Sequence, residues 1–163
     1  MSNLQQFLEL FNPHPGNHYM QVTTVVDETT HLLYDLMQNK DGEFSLVLYG
    51  NTDANLQKLS NAKVKYVDDF TKPYKALPRS NDAIVLKDIF YQHKNKAMIL
   101  KTAYTSLANT AEIIIMEKKE LLDINDTKEM LEKFEFRASN HIDLIDEYDL
   151  VIAKKMHMWG NGL

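Results

Sequence analysis

The sequence predicts a three-layer α/β fold: a mainly parallel seven-stranded sheet with helices on both faces and an antiparallel β-hairpin at its C-terminal end. Three observations predict it. Short β-rich runs alternate with segments of helical period; two of those runs, "FSLVLYG" and "AEIIIMEK", are apolar almost throughout; and the last two, "FRASNHIDLI" and "YDLVIAKKMH", are separated only by the acidic "DE" that precedes Tyr148. Apolar runs of this kind are what a parallel sheet buries on both faces, and so short a spacer suits a hairpin rather than a crossover helix. A chain of 163 residues, 44% of them hydrophobic, supports one sizeable core and is short for two. Residues 1–163 are therefore expected to form a single domain, with an N-terminal helix and loop over 1–18 and a tail over 156–163.

In order, "SNLQQFLELF" places Leu4, Phe7, Leu8 and Phe11 at helical spacing with Ser2 as N-cap, and the prolines and glycine of "NPHPGN" end it. "HYMQVTTVV" is β-rich and reads as the first strand. Asp27 is placed to cap "ETTHLLYDLMQNK", whose Leu32, Leu33, Leu36 and Met37 share a face, and Gly42 closes that helix. After "FSLVLYG" comes "NTDANLQKLSN", a short helix at best, then the alternating strand "AKVKYVDD", the loop "FTKPYKALPRS" and the buried strand "NDAIVLKD". Asn95 can cap the next helix, where Leu100, Ala103, Tyr104 and Leu107 fit the helical template. "AEIIIMEK" is the fifth strand, and Asp126 with Glu129 has capping-box spacing at the start of the last helix. The predicted order is one helix, five βα units and a closing pair of strands.

Several chemistries are excluded. With no cysteine there is no disulfide, no thiolate zinc site and no cysteine nucleophile. No Walker loop, dinucleotide fingerprint or nucleophile-elbow serine occurs. His14 and His18 are four apart, but the prolines and glycine around them forbid a helix that would align them, so no metal site is expected. There is no apolar stretch long enough to span a membrane and no secretory leader pattern at "MSNLQQFLELF", so a cytoplasmic protein with no membrane partner is expected.

The net charge of −5 is unevenly spread. Residues 1–57 hold one lysine against seven acids, whereas residues 58–101 hold ten Lys and Arg against four. Such a middle segment either faces an anionic ligand or nucleic acid or is simply a solvated face. The tail "MHMWGNGL" brings Trp159 and two methionines beyond the last strand, read either as a frayed or self-packed end or as a cover for an apolar groove on this chain or on a partner, a second copy included.

Five βα units followed by a hairpin resemble the class I S-adenosylmethionine (SAM) dependent methyltransferases, a Rossmann-like family. The resemblance covers roughly residues 20–155 and is carried by "SNDAIVLKDIF", "SLANTAEIIIMEK" and "MLEKFEFRASNHIDLIDEYDLVIAKK". It implies SAM as cofactor and a methyl group passed to a substrate the sequence does not identify. It also implies a cofactor site from Asp27 and Glu28 after the first strand, Gly50 and Asn51 after the second, Asp68, Asp69 and Phe70 after the third, and Lys87 and Asp88 at the end of the fourth. No residue is assigned a catalytic role.

The departure from the family lies in "VVDETT", where its glycine-rich first turn should be. Glycines there let the backbone approach the cofactor, and side chains would crowd it. Asp27 and Asp88 can also be read as helix N-caps alone. Two functions therefore stand open: a methyltransferase that binds SAM or a related nucleoside, with the basic segment receiving an anionic substrate, and a non-catalytic relative that uses the same sheet for binding or oligomerisation.

Overall fold

The computed structural model describes residues 4–50 and 56–156 of the chain. Helix α1 (Leu4–Phe7) runs into a 3₁₀ turn at Leu8–Leu10, and β1 (His18–Thr23) is followed by α2 (Glu28–Asn39), β2 (Glu43–Tyr49) and a 3₁₀ turn at Gln57–Leu59. Then come β3 (Lys63–Val67), β4 (Asn81–Lys87), α3 (Lys96–Ser106), β5 (Leu107–Lys118), α4 (Ile124–Lys133), β6 (Phe136–Ile145) and β7 (Tyr148–Lys155). The seven strands form one sheet in the order β3-β2-β1-β4-β5-β7-β6. Strands β1 to β5 pair in parallel, and β7 inserts antiparallel between β5 and β6. The fold class is the one the sequence predicts.

The period of two along each strand divides the interior into two cores. On one face Ala83, Val85, Ile114, Met116 and Leu150 pack under Leu4, Phe7, Leu33 and Met37 of α1 and α2. On the other, Ile84, Leu86, Ile113, Ile115 and Val151 pack under Ile99, Leu100 and Ala103 of α3 and Leu131 of α4. Both faces of the central strands are thus covered, which is why their sequences are apolar throughout.

Four expectations are corrected. The count of five βα units is too high: β3 and β4 are joined by the loop read at "FTKPYKALPRS", where Pro73 and Pro78 interrupt any helical run and the buried Tyr74 fixes the segment to the core. Strand β1 stops at Thr23 rather than running to Val26, because the chain bends to bring Asp27 into extended cap geometry. Strand β5 starts at Leu107 rather than at Ala111, since Leu107 leaves α3 already extended and pairs with Asn81 ahead of a register shift. The last helix is capped by Asp123, whose side chain accepts the Asp126 amide, so Asp126 lies inside the first turn and Asp126 with Glu129 is not the cap. The predicted caps Asp27 and Asn95 are found in place, while Ser2 falls outside the described residues.

Candidate functional site

The sheet order reverses between β1 and β4, and in open α/β sheets the crevice at such a switch point, beyond the carboxyl ends of the strands, is where ligands bind. Asp27 follows β1 there, and Lys87 ends β4 beside it. The Asp27 carboxylate accepts the amides of Thr29 and Thr30 at 3.0 and 3.4 Å, and the Thr30 hydroxyl closes a capping box by accepting the Asp27 amide at 3.3 Å. The first amides of α2 are therefore engaged by the chain's own anion.

Lys87 is 1% exposed. Its Nζ lies 2.7 Å from Asp27 Oδ2 and 2.7 Å from Asp88 Oδ2, and donates to the Tyr148 hydroxyl at 3.0 Å. Tyr148, the first residue of β7, donates in turn to Asp88 Oδ1 at 3.1 Å, and the Lys87 ammonium sits 4.7 Å from its ring centroid. Burial alone would lower the Lys87 proton affinity, but the hydrogen bonds to Asp27, Asp88 and Tyr148 outweigh it and hold the ammonium well above the usual lysine range. Burial raises the Tyr148 phenol against the pull of Lys87. Asp88 takes a left-handed backbone, φ 62°, which lets neighbouring side chains 87 and 88 meet at one point.

The remaining candidates stand along the same carboxyl edge. Glu28 is exposed on the first turn of α2. Gly50 has φ +88°, donates its amide to Val67 O at 2.8 Å, and lies beside the Phe70 ring, which would be 3.9 Å from an added Cβ. Phe70 also stacks obliquely on Tyr49 at 5.4 Å. Asp68 is exposed, and Asp69 folds its carboxylate back onto the hydroxyl and amide of Thr71 at 2.7 and 2.8 Å, bonds that favour the ionised form and hold its pKa below the usual carboxylate range. Asn51 and the Trp159 tail lie outside the described residues. The structure thus brings Asp27, Lys87 and Asp88 into contact and leaves Glu28, Asp68 and Asp69 out of that cluster.

Sequence reasoning missed Tyr148 and Glu117. Glu117, 2% exposed near the end of β5, accepts the Tyr91 amide at 3.2 Å, and burial pushes its carboxyl up to about 7 against the effect of that bond. A charged residue near the end of the apolar run "AEIIIMEK" was the available signal. Nothing local marks Tyr148, which meets Lys87 across 61 residues of chain. Among the described residues no three His, Asp or Glu side chains converge as a metal would require, and no helix is long and apolar enough to cross a membrane.

No family model and no curated protein matches the sequence. Solved structures do match its fold. A SAM-dependent methyltransferase from Aquifex aeolicus superposes with a TM-score of 0.74 at 15% identity, covering 94% of this chain and 89% of the other. Haemonchus contortus phosphoethanolamine N-methyltransferase 2, in complex with S-adenosyl-L-methionine, gives 0.73 at 11% identity over 96% of this chain and 52% of its own. The CurJ carbon methyltransferase gives 0.73 at 12% identity over 94% of this chain, which spans about half of it, 52%. At such identities the likeness is one of fold, and the chain has the methyltransferase-like Rossmann fold.

Proposed function

We propose that this chain is a methyltransferase-fold protein that works by binding rather than by methyl transfer, its crevice closed to SAM in the family's usual mode. The observation that carries this reading is the Asp27–Lys87–Asp88 cluster. The amino-acid end of SAM presents an ammonium and a carboxylate, and it would need the α2 amides and a nearby counter-charge. Here the Asp27 carboxylate already holds the Thr29 and Thr30 amides, and the buried Lys87 ammonium already pairs with Asp27 and Asp88. An internal carboxylate and ammonium fill the polar contacts that the ligand would make, on a turn with no glycine to let it approach.

A second reading, methyl transfer from SAM to an unidentified substrate, is favoured by the second strand's end. At Gly50 an added Cβ would meet only the Phe70 ring, at 3.9 Å, a ring on which a base could stack. The fold itself, shared with proteins that use SAM, supports either reading.

Isothermal titration of the ligand-stripped protein with SAM and with S-adenosylhomocysteine separates the two. The first reading expects no heat for either nucleoside at concentrations in the millimolar range, where a binding energy of about 4 kcal/mol would already register. Micromolar binding that weakens in a folded Asp27→Asn variant would overturn it and establish the second.

A further inference from the structure

The sheet has a second open end, opposite the crevice. Tyr19, Ala83, Glu112 and Lys154 stand opposite one another in a row across β1, β4, β5 and β7, near the amino ends of the parallel strands. Just before this row the register breaks: from Asn81 to Ala83 β4 advances two residues while β5 advances five, from Leu107 to Glu112, so residues 108–111 bulge from the pairing. Thr110 sits in that bulge with a left-handed backbone, φ 69°, uncommon for a β-branched residue. The bulge and the segment after α1 line a cleft of about 250 Å³, with Tyr19, Ala83 and Glu112 of the row also in its lining.

The cleft is aromatic and acidic. Phe7 meets Phe11 edge-on at 5.1 Å between ring centroids, and Phe11 meets Tyr19 at 5.5 Å, so a series of rings runs from α1 to the cleft. The charged side chains in the lining are both acids, Asp82 and Glu112. Asp82 is engaged, its Oδ2 accepting the His18 amide at 2.8 Å. Glu112, half-buried, accepts no hydrogen bond among the described residues, and burial raises its carboxyl above the ordinary range against the pull of Lys154. An added N–H donor stabilises a carboxylate in that position. The volume falls below the roughly 300–1,000 Å³ of sites that take a whole small-molecule ligand, and it suits one large side chain.

We propose that the cleft seats the indole of Trp159 from the chain's own tail, residues 157–163, which lie outside the described residues. The tail starts beside the cleft, since β7 ends at Lys155 and Lys154 is the next position in the row after Glu112. Crossing from Lys154 to Tyr19 takes three strand spacings, about 14 Å. The five residues from Lys154 to Trp159 span up to about 17 Å when extended, so the indole reaches any part of the cleft. "HMWGNGL" carries no Asp or Glu side chain for Asp82 and Glu112 to repel. A seated indole extends the series of Phe7, Phe11 and Tyr19, and its N–H supplies the donor that Glu112 lacks. The first and last segments of the chain are then clasped over the amino edge, so the proposal is independent of what the carboxyl-edge crevice binds.

Trp159 is the only tryptophan in the sequence, so fluorescence excited beyond the tyrosine absorption reports its surroundings alone. In the native full chain the emission is expected to the blue of that in urea, with acrylamide quenching severalfold slower. Phe11→Ala is expected to move the emission to the red and restore fast quenching, and Glu112→Ala to do so in part. Leu121→Ala, at an exposed apolar residue on the carboxyl edge, is expected to leave both unchanged. In a double-mutant cycle of Phe11→Ala with Trp159→Ala, the loss of urea midpoint in the double variant is expected to fall short of the two single losses combined. Circular dichroism of each variant secures that it is folded. Native emission equal to that in urea, strict additivity of the cycle, or an equal shift in Leu121→Ala would each overturn the proposal. So would a blue shift that appears only as protein concentration rises, with a doubled mass in light scattering, which assigns the cleft to the tail of a second copy.

Discussion

Asp27 Oδ2 lies 2.7 Å from Lys87 Nζ, joining the turn after β1 to the end of β4 across the switch point of the sheet. Asp27 is at once the cap of α2 and a counter-ion for a cation that is 1% exposed. The two roles separate in a double-mutant cycle.

Lys87→Met leaves Asp27 and Asp88 facing each other without their cation and is expected to cost about 3 kcal/mol, read as a shift in the urea midpoint. Asp27→Asn keeps a cap acceptor and removes only the charge. In Lys87→Met with Asp27→Asn the losses are expected to be non-additive by about 1 kcal/mol or more. Strict additivity would mean that the ion pair carries no coupling. Asp123→Ala gives the reference for a cap alone, about 1 kcal/mol.

Tyr148→Phe removes the hydroxyl that accepts from Lys87 and donates to Asp88 while keeping the ring beside the ammonium. A loss of about 1–2 kcal/mol is expected in the same denaturation experiment, since a bond to charged partners is lost in a buried setting. An unchanged midpoint would mean that the ring, not the hydroxyl, is what the cluster requires.

Glu117 gives the protein a pH dependence of defined sign. Its carboxyl is raised from an unfolded value near 4.5 to about 7 in the folded chain. Between those values the folded state binds more proton than the unfolded state, so this group's contribution to stability is full below pH 4.5 and declines as pH rises toward 7. Glu117→Gln, whose amide oxygen still accepts the Tyr91 amide, is expected to remove that decline, gaining on wild type by up to about 3 kcal/mol between pH 4.5 and pH 8. Parallel urea midpoints at both pH values check it; equal slopes in the two proteins would contradict the assignment.

Two glycines call for different costs from the same substitution. At Gly50 an added Cβ meets only Phe70 Cε2, at 3.9 Å, but φ is +88°, so Gly50→Ala should cost about 1–2 kcal/mol through backbone strain alone. At Gly42 the Cβ would lie 2.9 Å from the Asn17 carbonyl and 2.5 Å from Met37 Cε. The methionine end can move and the backbone cannot, so Gly42→Ala is expected to cost about 1–3 kcal/mol through crowding at the start of β2. Thermal melts should show both, with the Gly50 variant retaining unchanged side-chain packing by near-UV circular dichroism.

Much of the fold is legible because burial on both faces writes itself into strands such as Ile113 to Met116, and because Asp27 and Asn95 are caps whose effect is local. The carboxyl edge is legible for the same reason: once the strands are placed, Gly50, Lys87 and Asp88 must follow them. What local pattern does not carry is pairing at a distance. Tyr148 reaches Lys87 only because β7 lies antiparallel to β5, with Tyr148 opposite Lys118, a register set by the whole sheet. The start of α4 was misplaced because Asp123 and Asp126 have the same chemistry, and the packing of Leu122 and Ile124 on the core decides between them.

The cluster at the switch point also bears on how the chain reaches its native state. Strands β5 to β7 are contiguous in sequence and can align early, whereas seating Lys87 between Asp27 and Tyr148 requires contacts that close 60 and 61 residues of chain on its C-terminal side as well as the registry of β4 on β1. Loop closure of that length precedes any reward, so these contacts form late. In a chain of eight tyrosines, the difference between wild type and Tyr148→Phe in stopped-flow refolding isolates this one phenol, and its ultraviolet change is expected after the hairpin has gained its far-ultraviolet signal.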